Sequence, residues 1–385
     1  MKKGRNLRSV NTDGGVNLQF KLLSAIGIII IVSGHCYHGG MELAYNWFPP
    51  YSYNLALFVF ISGYFYKTDY EENVGKYIWK RTKRLLIPAY LWNIFYGGMV
   101  AFLGLFGFTI GAKPDLYNLF VMPFVDGEAF QYNLGSWFVY PLFLVCIINV
   151  LFRKFLKLIH LDNEFIVLIV YLAIGMIGIN TALENPTAIN GIVKLLVRTM
   201  FFLPCYEFGR FYKAVLEKKD TLNNVAYFAI IFAVQLILLT FCKDLEYTPS
   251  SFTKFNNGFI IPYISSITAI AFWLRVSRLL VPAIGNSKLV RLIADNTYGI
   301  MVNQLVGFMC LKFVFYGLSR ITSGSLFGDF NVASFKSSIW YYYLPNGLQQ
   351  WAFVYLIFGL LVPILISIIL NKICHIAHSS IFKKV

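Results

Sequence analysis

Long apolar runs recur along the whole chain and constrain its fold more than any other feature. A membrane-spanning helix needs about 20 mostly apolar residues, and ten runs approach or reach that length. They cover residues 20–37, 51–67, 85–108, 136–152, 164–182, 192–212, 222–242, 257–275, 293–318 and 348–371. The second run is short and is interrupted by glycine. The sequence therefore predicts an all-α integral membrane protein with about ten transmembrane helices.

The composition supports a membrane protein. Only 13% of the 385 residues are charged and 58% are hydrophobic, whereas soluble domains carry about 25% charged residues. The net charge of +15 would suggest nucleic-acid binding in a soluble protein, but here the basic residues fall in alternate loops. We therefore expect the lipid bilayer as a partner and no nucleic acid.

The distribution of Lys and Arg predicts which ends of the helices are cytoplasmic. Of the 33 Lys and Arg residues, 25 lie in the loops and tails of one side, 5 in the loops of the other side and 3 within spans. Loops rich in Lys and Arg stay in the cytoplasm. An even number of spans with both termini in the cytoplasm explains this bias. The two longest connections, 109–135 and 319–347, would then lie outside and fold back over the membrane surface.

The sequence contains no separate soluble domain, so we expect residues 1–385 to form a single polytopic domain. The six cysteines form no CxxC pair and no zinc-type spacing. We therefore expect no disulfide framework, no metal site and no permanently bound cofactor. We also expect no cleavable signal peptide, because the first apolar run is long and no small-x-small cleavage site follows it.

The stretch IIIIVSGHCYHGG, residues 28–40, ends the first run on a histidine. His35 lies about 22 Å along a helix from Phe20, which places it in the outer part of the membrane. A polar side chain at that depth more often lines a cavity than faces lipid, and a neutral imidazole is a good general base near pH 7. The alternative is a solvated interfacial histidine without a function. Cys36 would project about 100° away on the helix, which argues against a Cys–His dyad.

The stretch KRTKRLLIPAYLWN, residues 80–93, places basic side chains at the inner entrance of the third span. Arg81 and Arg84 are three residues apart and would share a helix face, with Lys80 and Lys83 beside them. Arginine can bind a phosphate through two parallel hydrogen bonds, so the cluster could hold a phosphorylated cytoplasmic donor. The alternative, which the spacing alone favours, is an anchor for anionic lipid headgroups.

Polar residues within other apolar runs are further candidates. Asn54 and Ser62 lie in NLALFVFISGYFYK, residues 54–67, where close helix packing is the simpler role. Asn303 and Gln304 lie within the ninth run, where amides often bond to neighbouring helices. For these two amides, a functional role and a structural role are equally supported.

Charged residues also fall inside the sixth run. Glu207 and Arg210 are three residues apart near its inner end and could pair with each other. Lys194 and Arg198 are one turn apart near its outer end and could attract an anionic group, or Glu184. A structural role is the simpler interpretation for all of them.

Taken in order, these stretches resemble acyltransferase family 3, the polytopic bacterial membrane O-acyltransferases. The resemblance covers nearly the whole chain. It rests on VSGHC at the end of the first run, LFVFISGYFYK in the second, KRTKRLLIPAYLWN at the third, GSWFVYPLFLV at 135–145 and NTYGIMVNQ at 296–304. These motifs also resemble those of the branch that includes exopolysaccharide O-acyltransferases of the intercellular-adhesin kind. Members of the family acylate surface polysaccharides, peptidoglycan, lipopolysaccharide or small molecules.

The resemblance implies roles for individual residues. His35 matches the first-helix histidine of the family, which makes it the catalytic candidate. Arg81 and Arg84 match its Arg-x-x-Arg motif, which implies acyl-CoA binding. Ser24 departs from the pattern, because the family usually has Arg or Lys eleven residues before the histidine. Lys21, one turn earlier, is the candidate replacement, since a long lysine side chain can extend along the helix.

Two further departures concern the second and ninth helices. The family often carries His and Pro where this chain has Asn54 and Ala56. Histidine is also common near the position of Asn303 or Gln304. These differences leave an unusual substrate, altered chemistry or a weakened enzyme open.

The expected reaction moves an acyl group, acetyl in the first instance, from cytoplasmic acyl-CoA to a hydroxyl of a cell-surface or lipid-linked glycan. Acyl-CoA is then a co-substrate, bound at the inner face by Arg81, Arg84, Lys83 and Lys21. His35 would accept the hydroxyl proton or carry the acyl group transiently. The implied location is the bacterial cytoplasmic membrane.

Several polar residues could assist this chemistry. Attack on a thioester needs a hydrogen-bond donor for the developing oxyanion, and Asn54 or Asn303 could supply it. Gln304 and Ser62 are possible substrate contacts. Trp137 could stack on a sugar ring, although most aromatic residues near span ends belong to the interfacial belt.

Two other functions remain open from the sequence. The same polar positions could line the path of a glycan exporter or flippase that does no covalent chemistry. The chain could also be a catalytically silent relative that organises a synthase complex. The sequence indicates neither the acyl group, nor the acceptor, nor an oligomeric state.

Overall fold

The computed structural model describes residues 12–13, 16–37, 41, 47–127, 129–185, 189–247, 249, 255–322 and 327–382, with side chains described between residues 16 and 373. This part of the chain is almost entirely helical. Its strands are Thr12–Asp13 and Val16–Asn17, which pair antiparallel with Thr12 opposite Asn17 and Asp13 opposite Val16. The predicted all-α membrane fold is confirmed.

Fourteen α-helices form the described part of the chain. They are α1 Leu18–His35, α2 Asn54–Tyr64, α3 Val74–Arg81, α4 Ile87–Gly104, α5 Met122–Val125, α6 Val139–Leu158, α7 Glu164–Glu184, α8 Gly191–Phe211, α9 Asn224–Phe241, α10 Ile261–Ile284, α11 Lys288–Asp295, α12 Thr297–Ile321, α13 Val332–Ser337 and α14 Trp351–Phe382. Short 3₁₀ segments occupy Pro50–Ser52, Thr68–Glu71, Gln131–Phe138 and Pro345–Gly347, and π-helical turns occupy Thr82–Leu86, Tyr117–Val121 and Tyr212–Leu216.

Eight helical stretches among the described residues are long and apolar enough to cross a membrane. They are α1, the continuous stretches Val74–Gly104 and Gln131–Leu158, α7, α9, α10, α12 and α14. Two of the ten predicted runs differ from this pattern. The second run contains α2, whose 11 residues extend only about 16 Å. The sixth run is α8, which is 21 residues long but carries four charged side chains. The side of the membrane on which the termini lie stays a prediction.

A wide π turn connects α3 and α4 at Thr82–Leu86. Pro88 follows it at the start of α4. A proline in a helix clashes with the carbonyl four residues earlier, here that of Arg84, and lacks an N–H group. The wider turn accommodates this proline without ending the helix, so Val74–Gly104 is one continuous rod.

Helix α1 lies at the centre of the bundle, where α2, α10, α11, α12 and α14 pack around it. Helix α2 packs closely against α8 through two glycines. A Cβ atom on Gly63 would lie 1.8 Å from the Tyr206 carbonyl oxygen, and one on Gly209 would lie 1.9 Å from the Phe60 carbonyl oxygen. The two backbones are therefore in contact, and this packing fixes the short helix α2 between α1 and α8.

Candidate active site

One face of α1 lines two adjoining cavities. Ser24, Ile28 and Ile31 line a cavity of about 230 Å³. Ile31 and His35 line a second cavity of about 80 Å³. These residues recur at intervals of three or four, which is the spacing of a single helix face.

The two cavities adjoin each other along α1, and we call them together the passage. Four lining residues are common to both, namely Ile31, Leu55, Phe138 and Met301. Ser24 lies near the end of the bundle where Lys and Arg are concentrated, and His35 lies about 16 Å further along α1. The passage therefore runs along α1 from the basic end of the bundle to the histidine.

His35 is hydrogen-bonded to Gln304 in the smaller cavity. The His35 Nδ1 and Gln304 Oε1 atoms are 3.2 Å apart, and the amide nitrogen of Gln304 donates to the Met301 carbonyl oxygen (3.2 Å). Because this second bond turns the amide oxygen towards the ring, Nδ1 carries the proton and donates it. In a neutral imidazole the other nitrogen is then an acceptor, so Nε2 is the atom able to take up a proton.

The backbone at the end of α1 is held by aromatic residues from outside the helix. Tyr51 donates a hydrogen bond to the Gly34 carbonyl oxygen (2.9 Å), and Tyr342 donates one to the His35 carbonyl oxygen. The Trp340 ring lies beside the imidazole, with 6.0 Å between ring centroids. Trp340 and Tyr342, in the described part of the 319–347 connection, thus lie against this end of α1. That the connection lies outside and folds back over the membrane surface stays a prediction.

Asn54 and Trp137 line the small cavity together with His35. The side-chain oxygen of Asn54 accepts the Leu55 N–H (2.7 Å), which leaves its amide N–H groups as the part of the side chain able to donate to a ligand. The Arg198 guanidinium carbon lies 4.5 Å from the centroid of the Trp137 ring and fixes the orientation of the indole. The structure thus brings two of the predicted oxyanion and substrate candidates to the histidine.

Asn303 and Ser62 have different surroundings. Asn303 is fully buried, accepts a hydrogen bond from Tyr96 and donates one to the Gly299 carbonyl oxygen (2.9 Å). It does not line the passage, so it connects α4 and α12 instead. Ser62 lines the larger cavity, but its hydroxyl donates to the Phe58 carbonyl oxygen of its own helix (3.0 Å).

Tyr298 is a passage residue that the sequence reasoning did not identify. Its hydroxyl is buried and has no hydrogen-bond partner among the described residues. Tyr298, Met301 and Gln304 recur every three residues on α12 and line the passage together. This spacing within NTYGIMVNQ is the signal that could have revealed it. The hydroxyl can hydrogen-bond a polar group that enters the passage.

The predicted donor-binding arginines differ in exposure. Arg84 and Lys83 are exposed, whereas Arg81 is half-buried and donates through Nε to the Tyr77 hydroxyl (3.0 Å). Leu85, next to Arg84, lines the passage. Arg84 and Lys83 are therefore available to an anionic ligand near the basic end of the passage, while Arg81 contacts the protein interior.

Lys21, the predicted replacement for the cation missing at position 24, already has an acidic partner. Lys21 forms a salt bridge with Asp295 at the end of α11. The Ser24 hydroxyl donates to the Phe20 carbonyl oxygen (2.8 Å), so its proton is engaged within α1. Thr297, two residues after Asp295, lines the passage, which places the Lys21–Asp295 pair beside its basic end.

The charged residues of α8 do not pair as predicted. Glu207 binds Arg153 of α6 through both carboxylate oxygens (2.9 and 2.7 Å), because α6 packs directly on this side of α8. Arg210 pairs with Glu164 (3.0 Å), which also contacts Arg153 (2.7 Å). The expected Glu207–Arg210 pair is therefore wrong. The four residues form one network between α6, α7 and α8, in which Arg153 and Glu207 are fully buried.

Lys194 and Arg198, at the other end of α8, do not contact Glu184 in the structure. Lys194 pairs with Asp126 (2.8 Å), and Arg198 donates to the Asp126 carbonyl oxygen (2.8 Å). Glu184 instead accepts a hydrogen bond from Asn180 (2.7 Å). The physical reason is that the connection before α6 folds back onto α8, so its polar groups reach the two cations first.

One further carboxyl lies outside the spanning helices, in the segment Thr68–Glu71. Glu71 is buried, accepts the Tyr66 hydroxyl proton (3.1 Å) and lies 3.9 Å from Lys157 Nζ. Burial raises the pKa of the Glu71 carboxyl above its ordinary value, because a buried carboxylate loses hydration.

Comparison with known proteins bears on what this site does. A family model described as an acyltransferase domain matches residues 17–372, which include all the described residues of the passage. No curated protein and no solved structure matches the chain. Since the match covers nearly the entire sequence, the chain belongs to acyltransferase family 3 and is a multi-pass membrane acyltransferase.

Proposed function

We propose that the protein is an O-acyltransferase that moves an acyl group from cytoplasmic acyl-CoA to a hydroxyl of a cell-surface or lipid-linked glycan. One observation carries the proposal. A single passage leads from the basic end of the bundle to the hydrogen-bonded pair of His35 and Gln304. Acyl transfer in general follows from the family, whereas the donor, the acyl group and the acceptor are parts of the proposal.

The donor would bind with its phosphates outside the passage and its acyl group inside. Arg84 and Lys83 are exposed near the basic end and can bind phosphate oxygens. Lys21 could contribute only if a phosphate replaced Asp295 as its partner. The pantetheine arm would lie against the apolar wall of the passage, where the Tyr298 hydroxyl can bond to one of its polar groups.

The reaction at His35 is a direct transfer. Nε2 accepts the proton of the acceptor hydroxyl as that oxygen attacks the thioester carbonyl carbon. The amide N–H groups of Asn54 can donate to the oxyanion that forms. Collapse of this intermediate breaks the carbon–sulfur bond, and the departing thiolate takes the proton from the imidazolium. The products are an ester and CoA, and His35 is neutral again.

The size of the cavity supports a small acyl group. The cavity around His35 measures about 80 Å³, which lies between the volumes of two and three water molecules at about 30 Å³ each. An acetyl group fits such a space, whereas a whole sugar ring does not, so only the reacting hydroxyl of the acceptor would enter it. The same observation disfavours the exporter, because a polymer would need a much wider path.

A cell-based experiment separates these functions. Cells that lack the gene are complemented with the wild type, His35→Asn or His160→Asn. The second variant is a matched control, since His160 is exposed in the turn after α6 and Asn tolerates its left-handed backbone (φ 56°). Acyl groups that mild alkali releases from washed envelopes are measured, together with the amount of surface polymer.

The proposal predicts that His35→Asn lowers the alkali-released acyl groups to the level of cells that lack the gene, without changing the amount of surface polymer, and that His160→Asn behaves as the wild type. Polymer retained inside the cells would instead support an exporter. Normal acylation by a normally expressed His35→Asn protein would refute the role of His35.

A further inference from the structure

A third cavity, of about 570 Å³, lies on the opposite side of α2 from the passage. It is an apolar cleft between α2, α7, α8, α9 and α10. Its walls include Phe60, Leu168, Phe208, Tyr227, Ile267 and Leu274. Within the described residues it shares no wall residue with the passage, because Phe60 of α2 faces the cleft while Phe58 and Ile61 face the passage. We call it the α9 cleft.

The α9 cleft extends from the basic end of the bundle into the apolar part of the helices. Lys219 and Asp220 lie at its mouth, in the segment that follows the π turn after α8. Leu274 and Ile267 line its length along α10 and are about 10 Å apart at 1.5 Å per residue. The cleft is therefore deep enough to take part of a hydrocarbon chain and has charged groups at one end.

The surroundings of the cleft are those of a lipid-facing site. Helix α9 packs against α10, and most of its other side chains are exposed, including Leu236 with 56% of its surface. In a membrane protein such exposed apolar side chains face lipid tails. The cleft thus lies where lipid surrounds the protein.

The mouth of the cleft carries more positive than negative charge. Between residues 213 and 220 and at residues 275–278 there are five Lys and Arg residues and two acidic residues. Asp220 pairs with Arg275 and Arg278, and Glu217 accepts the Tyr64 hydroxyl proton (2.8 Å). The acidic groups thus have partners within the protein. The net positive charge beside a hydrocarbon-sized cleft complements a phosphodiester on an acyl chain.

We propose that the α9 cleft binds one anionic glycerophospholipid, with an acyl chain along α10 and the phosphodiester near Lys219. This site differs from the acyl-transfer site and requires neither acyl-CoA nor a glycan. Because Phe60 of α2 forms one wall, the bound chain would also pack against the short helix that separates the cleft from the passage.

The test measures lipid binding to the purified full-length protein by native mass spectrometry in a neutral detergent. Phosphatidylglycerol and phosphatidylcholine with identical acyl chains are added in parallel. Two pairs of variants are compared with the wild type. Lys219→Gln removes a charge at the mouth, and Lys218→Gln removes the neighbouring exposed charge, which does not line the cleft. Leu168→Trp fills the cleft, and Leu236→Trp makes the same change at a lipid-facing position outside it.

The proposal predicts that the wild type retains one phosphatidylglycerol in preference to phosphatidylcholine. Loss of one basic residue near a lipid phosphate weakens binding about fivefold. We therefore expect about fivefold weaker phosphatidylglycerol binding for Lys219→Gln and a clearly smaller loss for Lys218→Gln, whose charge lies near the mouth but does not line the cleft. Leu168→Trp should abolish retention, and Leu236→Trp should not.

Three results would overturn the proposal. They are equal retention of the two lipids, equal weakening by both lysine variants, and full retention by a folded Leu168→Trp protein. If Leu168→Trp does not yield folded protein, Ala271→Leu narrows the cleft from the α10 side and should reduce retention in the same way.

Discussion

Gln304 should determine which nitrogen of His35 can act as a base. Gln304→Leu keeps the approximate volume of the side chain but removes the acceptor of the Nδ1 proton. An N–H group left without a partner in a buried site costs about 1–3 kcal/mol, and the ring can avoid this cost by rotating or moving its proton to Nε2. Either change removes the base. At about 1.4 kcal/mol per tenfold change in rate, we expect kcat to fall about 5- to 150-fold.

The assay is transfer of labelled acetyl groups from acetyl-CoA in inverted membrane vesicles that contain the native acceptor. Because Gln304 acts through His35, the KM for acetyl-CoA should change little while kcat falls. Gln304→Glu restores an oxygen acceptor for the Nδ1 proton and should recover part of the rate. Gln19→Leu is the matched control, since the Gln19 amide is also buried and hydrogen-bonded, but to the Leu274 carbonyl oxygen (2.9 Å), away from the passage. A folded Gln304→Leu protein with kcat within about twofold of the wild type would show that Gln304 does not position the His35 proton.

Three further predictions concern stability. Gly63→Ala would place a Cβ atom 1.8 Å from the backbone of α8, so we expect little folded protein on size-exclusion chromatography. The control Gly98→Ala, whose Cβ meets nothing within 4 Å, should give the wild-type yield. Equal yields of the two variants would contradict this prediction. Glu207→Gln removes one member of the buried ion pair with Arg153 and should lower the free energy of unfolding by about 3 kcal/mol. This is the low end of the usual cost of breaking a buried ion pair, because a second carboxylate still faces the guanidinium. Denaturant unfolding in detergent measures the loss, and no detectable loss would contradict the prediction. Burial raises the pKa of Glu71, so its ionised form destabilises the fold as pH rises. Glu71→Gln should therefore raise the melting temperature at pH 8, with a difference that shrinks as pH falls towards the ordinary carboxyl pKa of about 4.3, and a difference that grows at low pH would contradict the sign.

The fold class could be predicted from the sequence because apolar runs of about 20 residues have few other solutions. The second and third predicted runs differ from the observed helices for local reasons. α2 is only 11 residues long because Ser52 belongs to a preceding 3₁₀ turn and the helix ends at Tyr64. The continuous rod Val74–Gly104 begins earlier than the predicted third run, since Lys80, Arg81, Lys83 and Arg84 are helical although they are not apolar.

The candidate site could be predicted only in part. His35 was identifiable because it is a titratable side chain at the end of an apolar run, within a motif that resembles the family. The sequence could not show which of the two adjacent amides faces His35. Asn303 and Gln304 differ by about 100° around α12, and only helix packing decides which one meets α1. The ion-pair partners of Lys21 and Glu207 could not be predicted either, because they lie on helices far away in sequence.

The most direct test of the proposed chemistry measures acyl-CoA binding and consumption separately. Inverted membrane vesicles containing the wild type or His35→Asn receive labelled acetyl-CoA, and bound label, released thiol and acylated acceptor are measured. We expect equal acetyl-CoA binding by the two proteins, with thiol release and acceptor acylation lost in His35→Asn. Undiminished thiol release and acylation by His35→Asn would overturn the proposed chemistry, and so would a wild type that binds acetyl-CoA and never consumes it.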